Sequence, residues 1–570
     1  MNRYLPLIAT SFSVVVFFLG ISCQRDQTPL LEYEIVNGRV DSLPALEVRM
    51  HFSPDSGRVT YVNYENDAWG ETDLFNGIRN VRLLQGQGAV SLEPDSGRIR
   101  IEHPLNPGSL ALSYTVFQDI PGPKNAQNTY RPIVESSYFH VYSHNLFAIP
   151  RHYWKGENPE ADIRLEWSGW GPGEVIHNSF GSQNRQQDLG QIPLERFHNA
   201  IFVGGDFRIY TEEVEGNELI LAIRGDWVPF QDPAVMDLLT ETIRAQRDFW
   251  NDHSQPYFTV TMRPYPQENG TSFQGTGLTN SFATSISNNA ETEFEQLAYL
   301  FNHELMHNWI GFAIKNADEE AQYWFSEGFT DYYTSKNMAA YGIDGKDWGY
   351  FITKLNETIR ELEASSVREA PNEEINYDNF WKNPEYGKLP YRRGKLFACY
   401  LDLHIQAVSG GERSLDDVMR DLLAATRKDG QVLTHAHFLR TANAYLAQDL
   451  TPFFERHIIQ GETLPMKTLF EQLGLAYEEE ETDLFDLGIR FNENVDAVVS
   501  VDPTSEAFRA GVREGDRVVS RSIYRGSISK EAELILEREG KQIPVAYRPV
   551  KKARVVQLLD NEANRARFRK

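Results

Sequence analysis

The sequence predicts a multidomain α+β chain with an N-terminal antiparallel β domain, an α-rich middle domain and a small C-terminal β domain. Three observations carry this. The chain has 570 residues, which at about 150 per domain leaves room for three or four folding units. Apolar residues alternate with polar ones early in the chain, recur at helical spacing through the middle, and alternate again near the end. With 41% apolar and 24% charged residues, the chain can bury enough surface to offset the entropy of ordering it, which excludes wholesale disorder. A net charge of −25 repels phosphate backbones and argues against nucleic-acid binding.

Residues 1–23 read as an address. Arg3 precedes an apolar run from Leu5 to Leu19, and the stretch ends Gly20-Ile21-Ser22-Cys23, a secretory pattern. Small residues before a cysteine resemble the cleavage box of bacterial lipoproteins, except that the leucine of that box stands one step early, at Leu19. The resemblance implies a lipid anchor on Cys23 and a place in the bacterial envelope, periplasmic or at the outer surface. Simple secretion and a retained membrane helix are the alternatives, and each exports the protein. Cys399 is the only other cysteine, so no disulfide framework forms, and it reads as a small buried apolar residue.

From 24 to 225 the period is two, as in Leu46-Glu47-Val48-Arg49-Met50-His51-Phe52 and Ser109-Leu110-Ala111-Leu112-Ser113-Tyr114-Thr115-Val116, which predicts the antiparallel β domain. The block 226–480 opens with a helix from Asp232-Pro233 carrying Val235, Met236, Leu238, Leu239, Ile243 and Phe249. A strand from Tyr257 to Met262 and a Gly/Thr/Ser/Asn-rich stretch, 269–289, precede a long helical region. Residues 484–550 resemble a PDZ domain through Asp486-Leu487-Gly488-Ile489-Arg490-Phe491 and Ala510-Gly511-Val512-Arg513-Glu514-Gly515-Asp516-Arg517-Val518. That resemblance implies binding of peptide C-termini. Only Ser520 to Ala532 separates Val518 from a hairpin at Glu533–Tyr547, too few residues for the second helix that walls a PDZ groove, so a structural brace is the alternative. Lys551, Lys552, Arg554, Arg565, Arg567, Arg569 and Lys570 make 551–570 a basic, solvated tail.

The chemistry centres on His303-Glu304-Leu305-Met306-His307, inside a helical run from Glu293 to Ile310. A spacing of four puts both imidazoles on one helix face, where they can reach one zinc ion. Glu304, next to His303, suits a general base toward water activated by the metal. A catalytic zinc takes three protein ligands and keeps one position open. Glu327, twenty residues beyond His307 in Trp324-Phe325-Ser326-Glu327-Gly328-Phe329-Thr330-Asp331, is the candidate third ligand.

These residues resemble the gluzincin metallopeptidases, which pair HExxH with a glutamate about nineteen or twenty positions on. The resemblance implies a thermolysin-like zinc peptidase domain, one Zn²⁺ held by His303, His307 and Glu327, and peptide or protein substrates. It also implies that Asp331 accepts a hydrogen bond from a zinc-binding histidine. In Leu389-Pro390-Tyr391-Arg392-Arg393-Gly394-Lys395-Leu396, preceding an apolar helix, Tyr391 matches the family's tyrosine that hydrogen-bonds the developing oxyanion. Tyr386 is the runner-up.

The order of domains resembles the glycyl aminopeptidases, while His307-Asn308-Trp309-Ile310-Gly311 also resembles the larger leucyl-type enzymes. Both groups carry a glycine-rich strand ending in a glutamate that holds the substrate's amine. Here the corresponding residues are Gly275, Gly277 and, where the glutamate should stand, Thr279. A neutral hydroxyl cannot pair with an ammonium group, although the strand can still bind an extended peptide. The resemblance therefore implies an aminopeptidase, with an endopeptidase of the same mechanism as the alternative. A non-catalytic peptide-binding or assembly protein is the rival from another class, and a Glu327 carboxylate far from both imidazoles would favour it.

Overall fold

The computed structural model describes residues 28–121, 130–492 and 494–569; the leader and Cys23 lie outside them. The N-terminal domain is built on a six-stranded sheet in the order Gln186–Pro193, Glu160–Ser168, Leu30–Val40, Leu43–Phe52, Leu110–Phe117, Ile78–Gln85. In Leu43–Phe52 the alternation is an inside and an outside face, with Leu46, Val48, Met50 and Phe52 buried. One pair departs from the expected antiparallel pattern: Leu30–Val40 runs parallel to Glu160–Ser168, the intervening chain supplying the crossover that a parallel pair needs. A second sheet, ordered Gly181–Ser182, Val175–Asn178, Ile201–Gly205, Tyr138–Tyr142, Ile133–Val134, abuts the middle domain.

The boundary expected at 225 moves toward the N-terminus. Strands Arg208–Val214 and Asn217–Ile223 belong to the middle domain's five-stranded sheet, which continues through Tyr257–Tyr265, Ser281–Ser287 and Phe273–Leu278. Asn217–Ile223 pairs in parallel with Tyr257–Tyr265. Alternation identifies a strand without saying which sheet it joins. The stretch 269–289 carries a hairpin, Phe273–Leu278 against Ser281–Ser287, and Phe273–Leu278 is an edge of the sheet.

Helix Asp232–Trp250 has its proline in the first turn, where the missing N–H has no intrahelical partner to lose. It buries Val235, Met236, Leu238, Leu239, Ile243 and Phe249. Further helices, among them Phe294–Met306, Glu319–Ser326, Gly328–Tyr341, Trp348–Ala364 and Pro384–Val408, enclose an aromatic core around Trp324, Phe329, Phe397 and Phe438, with Cys399 buried in it.

Residues 486–549 form a small β unit with strands Arg517–Ser522, Ala532–Arg538 and Lys541–Tyr547 in one sheet. No helix stands between Arg517–Ser522 and Ala532–Arg538. The solvated tail expected at 551–570 is corrected. Val550–Leu558 pairs along its whole length with Tyr477–Phe485, and helix Glu562–Phe568 buries Phe568 against Phe351. Val555 and Leu558 turn inward, and charge assists at the surface: Lys552 meets Asp483 at 3.0 Å across the strand pair, and Arg565 of the helix meets Asp347 at 2.8 Å.

Candidate active site

The helix bearing the two histidines is started by a capping box between Glu293 and Gln296. It ends at Met306, short of the expected Ile310, but His307 keeps helical dihedrals (φ −60°, ψ −17°). The four-residue spacing therefore survives, and the two rings lie with centroids 4.9 Å apart. Glu327 sits where helix Glu319–Ser326 gives way to helix Gly328–Tyr341, with Oε2 3.3 Å from His303 Nε2 and 3.7 Å from His307 Nε2. One donor atom from each of the three lies within 4.8 Å of the others. Zinc bonds of about 2.1 Å at a tetrahedral angle separate ligand atoms by about 3.4 Å, so the set fits zinc with little movement. The separation that the assembly-protein alternative required is not found.

The outer nitrogens of both rings are engaged. His307 Nδ1 is 3.0 Å from the Ile310 carbonyl oxygen, and His303 Nδ1 is 3.6 Å from Asp331 Oδ1. Both Nε2 atoms are thereby left to face Glu327. Asp331 is itself held from behind: Tyr299 donates its hydroxyl to Oδ1 at 2.5 Å, and the buried ammonium of Lys395 lies 3.1 Å from Oδ2. Three carboxylates, Glu304, Glu327 and Asp331, and one ammonium leave two negative charges once both imidazoles give up their protons to act as ligands, and a dication cancels them.

The electrostatics agree. Burial opposes charge on His303, but its bonds to Asp331 and Glu327 outweigh burial and push it up to about 10. Burial raises Glu327, yet the hydrogen bond from His303 and the charge of His307 bring it down to about 2. The site is organised to hold positive charge.

Tyr391 lies inside helix Pro384–Val408, not ahead of it. Its ring stacks near His303 with centroids 5.8 Å apart, and burial and Glu327, to which its hydroxyl is hydrogen-bonded, raise its pKa well above the ordinary phenol value. Tyr386 is drawn away, its hydroxyl bonded to Glu374 Oε2 at 2.8 Å. Gly275 and Gly277 lie on the edge strand, where their missing side chains leave room for the rings of Phe282 and Phe312. Thr279 is in the hairpin turn, and its hydroxyl donates to the Arg196 carbonyl at 2.7 Å. It pins the hairpin to the N-terminal domain.

Sequence reasoning missed Lys395, Tyr299 and Tyr130. Tyr299 stood within reach, four residues before His303 and so on its helix face. Tyr130 comes from the N-terminal domain, hydrogen-bonds Thr276 on the edge strand and feels the charge of Glu304.

Residues 274–457 match the Peptidase family M1 domain. This chain is a zinc metallopeptidase. The peptidase has the fold of an aminopeptidase N family protein from Idiomarina loihiensis, at a TM-score of 0.72 and 15% identity over 95% of this chain and 100% of that one. It is less similar to a point mutant of an M1 zinc metallopeptidase from Deinococcus radiodurans, with a TM-score of 0.44, 13% identity, and 77% and 95% of the two chains covered. For native yeast LTA4 hydrolase the values are 0.43, 12%, 77% and 68%. No curated protein sequence matches the peptidase at a significant level.

Proposed function

We propose that the protein is an exported aminopeptidase that takes peptides along its edge strand Phe273–Leu278. The convergence of His303, His307 and Glu327 beside Glu304 carries the reading. Those three residues would hold zinc, whose Lewis acidity, once bound, makes water a better nucleophile and a carbonyl a better electrophile. Glu304 takes a proton from the attacking water at its carboxylate and delivers it to the departing amine nitrogen. The Tyr391 hydroxyl, freed from Glu327, donates to the carbonyl oxygen as that oxygen gains charge. Asp331 keeps His303 oriented. No covalent link to the enzyme is needed.

A second reading, endopeptidase action, is favoured by Thr279, which is neutral and has its hydroxyl engaged by Arg196. Amino-acid p-nitroanilides assayed beside N-terminally blocked peptides separate the two. Cleavage of the unblocked substrates supports the aminopeptidase, and cleavage of blocked peptides alone replaces it with the endopeptidase.

Export and lipid attachment at Cys23 belong to the same proposal and rest on residues 1–23. Fatty-acid labelling that is lost in Cys23→Ser tests them. The likeness to glycyl aminopeptidases rests on the order of domains. For residues 486–549 we favour a brace over a receptor for peptide C-termini: no second helix walls a groove, and Lys530 ties the unit to Glu291 at 3.0 Å, in the loop before the histidine helix.

A further inference from the structure

The seam between the N-terminal domain and the catalytic sheet is largely apolar, with Ile201, Val203, Phe207, Ala222 and Ala283 at its centre. Two polar faces meet within it. His177, Val203 and His140 lie in one row across three neighbouring strands, so the two histidines share a face, and Tyr138 and Tyr142 join them by alternation. On the catalytic side, Thr259, Thr261 and Arg263 share a face of strand Tyr257–Tyr265 by the same rule. A 2.7 Å bond from His177 Nε2 to Thr259 Oγ1 fixes the faces against each other.

Four residues along from Thr259, Arg263 is 1% exposed, and its Nε and Nη2 have no partner. His140 lies close enough for its titration to feel the Arg263 charge as well as its own burial, and neither ring nitrogen has a partner in another residue. The Oγ1 of Thr261, buried between Thr259 and Arg263 along strand Tyr257–Tyr265, has no partner either. Among the described residues no carboxylate pairs with Arg263. Two acids share the surroundings of Tyr138 with Arg263: Glu135 is exposed, and Asp206 is taken by Arg224, at 2.8 and 3.0 Å, which in turn stacks on Tyr138. A guanidinium does not deprotonate in a protein, and a buried charge without a counter-charge is strongly unfavourable.

We propose that a small monovalent anion, chloride in ordinary buffer, occupies the seam between Arg263, Thr261 and His140. Guanidinium N–H, hydroxyl and imidazole N–H are all donors, and a spherical acceptor satisfies them together while cancelling the charge. Water would satisfy the donors and leave the charge. The anion thereby fastens the N-terminal domain to the catalytic sheet.

Thermal unfolding of the full chain at constant ionic strength tests this, with sodium gluconate replaced stepwise by chloride or bromide. The midpoint should rise by about 2–4 °C in either halide. Arg263→Met should show no halide-specific rise and should unfold no lower than the wild type in gluconate. Crystals grown in bromide should show an anomalous peak within hydrogen-bond distance of Arg263, a result that does not depend on the variant folding. Equal wild-type midpoints in gluconate and halide, or a bromide crystal with only water beside Arg263, overturns the proposal.

Discussion

Gly328 and Gly394 meet at backbone contact: a methyl group on Gly328 would stand 2.4 Å from the Gly394 Cα, and one on Gly394 would stand 2.1 Å from the Trp324 carbonyl oxygen. The contact lets the helices carrying Glu327 and Tyr391 cross closely enough for those side chains to meet, since each lies within a turn of its glycine. Neither obstacle is a side chain that can swing away. Gly394→Ala should therefore destabilise the protein by about 1–3 kcal/mol through overpacking, read as a lower urea midpoint, and should reduce turnover more than it weakens zinc retention.

Glu304 is not among the zinc ligands, so its loss should separate binding from reaction. Glu304→Gln should keep its zinc, measured by atomic absorption, and lose on the order of 10²–10⁴ in kcat. Tyr391→Phe should lose about 10²–10³ in kcat with KM little changed. Full turnover in purified Glu304→Gln would remove the mechanism.

Lys395 acts through Asp331 rather than on substrate. Lys395→Met leaves a buried carboxylate without its counter-charge, and the orientation of His303 should loosen. Zinc affinity, measured by competition with a chelator, should fall about 10–100-fold, with Lys395→Arg restoring part of it. An unchanged affinity in the methionine variant would mean that the ammonium only fills space.

Burial alone holds His177 at about 3, against an ordinary 6.5. The unfolded chain takes up a proton near pH 6.5 while the folded chain refuses it until about pH 3. The contribution to stability is therefore whole above 6.5 and is lost as pH falls, by up to about 1.4 kcal/mol per pH unit. His177→Gln can keep a bond to Thr259 without titrating. Its urea midpoint should fall less steeply between about pH 6.5 and pH 4.5 than that of the wild type.

How much of this was legible in the sequence depends on how far apart the interacting residues lie along it. His303, His307, Glu327 and Asp331 are set by helical spacing and one short connection, and that local geometry can be read directly. Lys395 reaches Asp331 across 64 residues, and nothing near either one signals the other. Strand Tyr477–Phe485 finds Val550–Leu558 across an entire β unit, so a row of lysines and arginines looked like a free end when its partners were a distant run of acids. The strands at Arg208–Ile223 carried the right period but no mark of the sheet they join. Thr279 was legible as a missing charge, whereas its bond to Arg196 needed the fold.

Phe485 and Val550 are register partners at the end of that strand pair, so the chain leaves for residues 486–549 and returns through one doorway. Whatever is lodged beyond it can be lengthened, exchanged or excised by a single splice, without redrawing the helices behind it. The zinc domain can thus keep its chemistry constant while this appendage diverges everywhere except at its tie from Lys530 to Glu291.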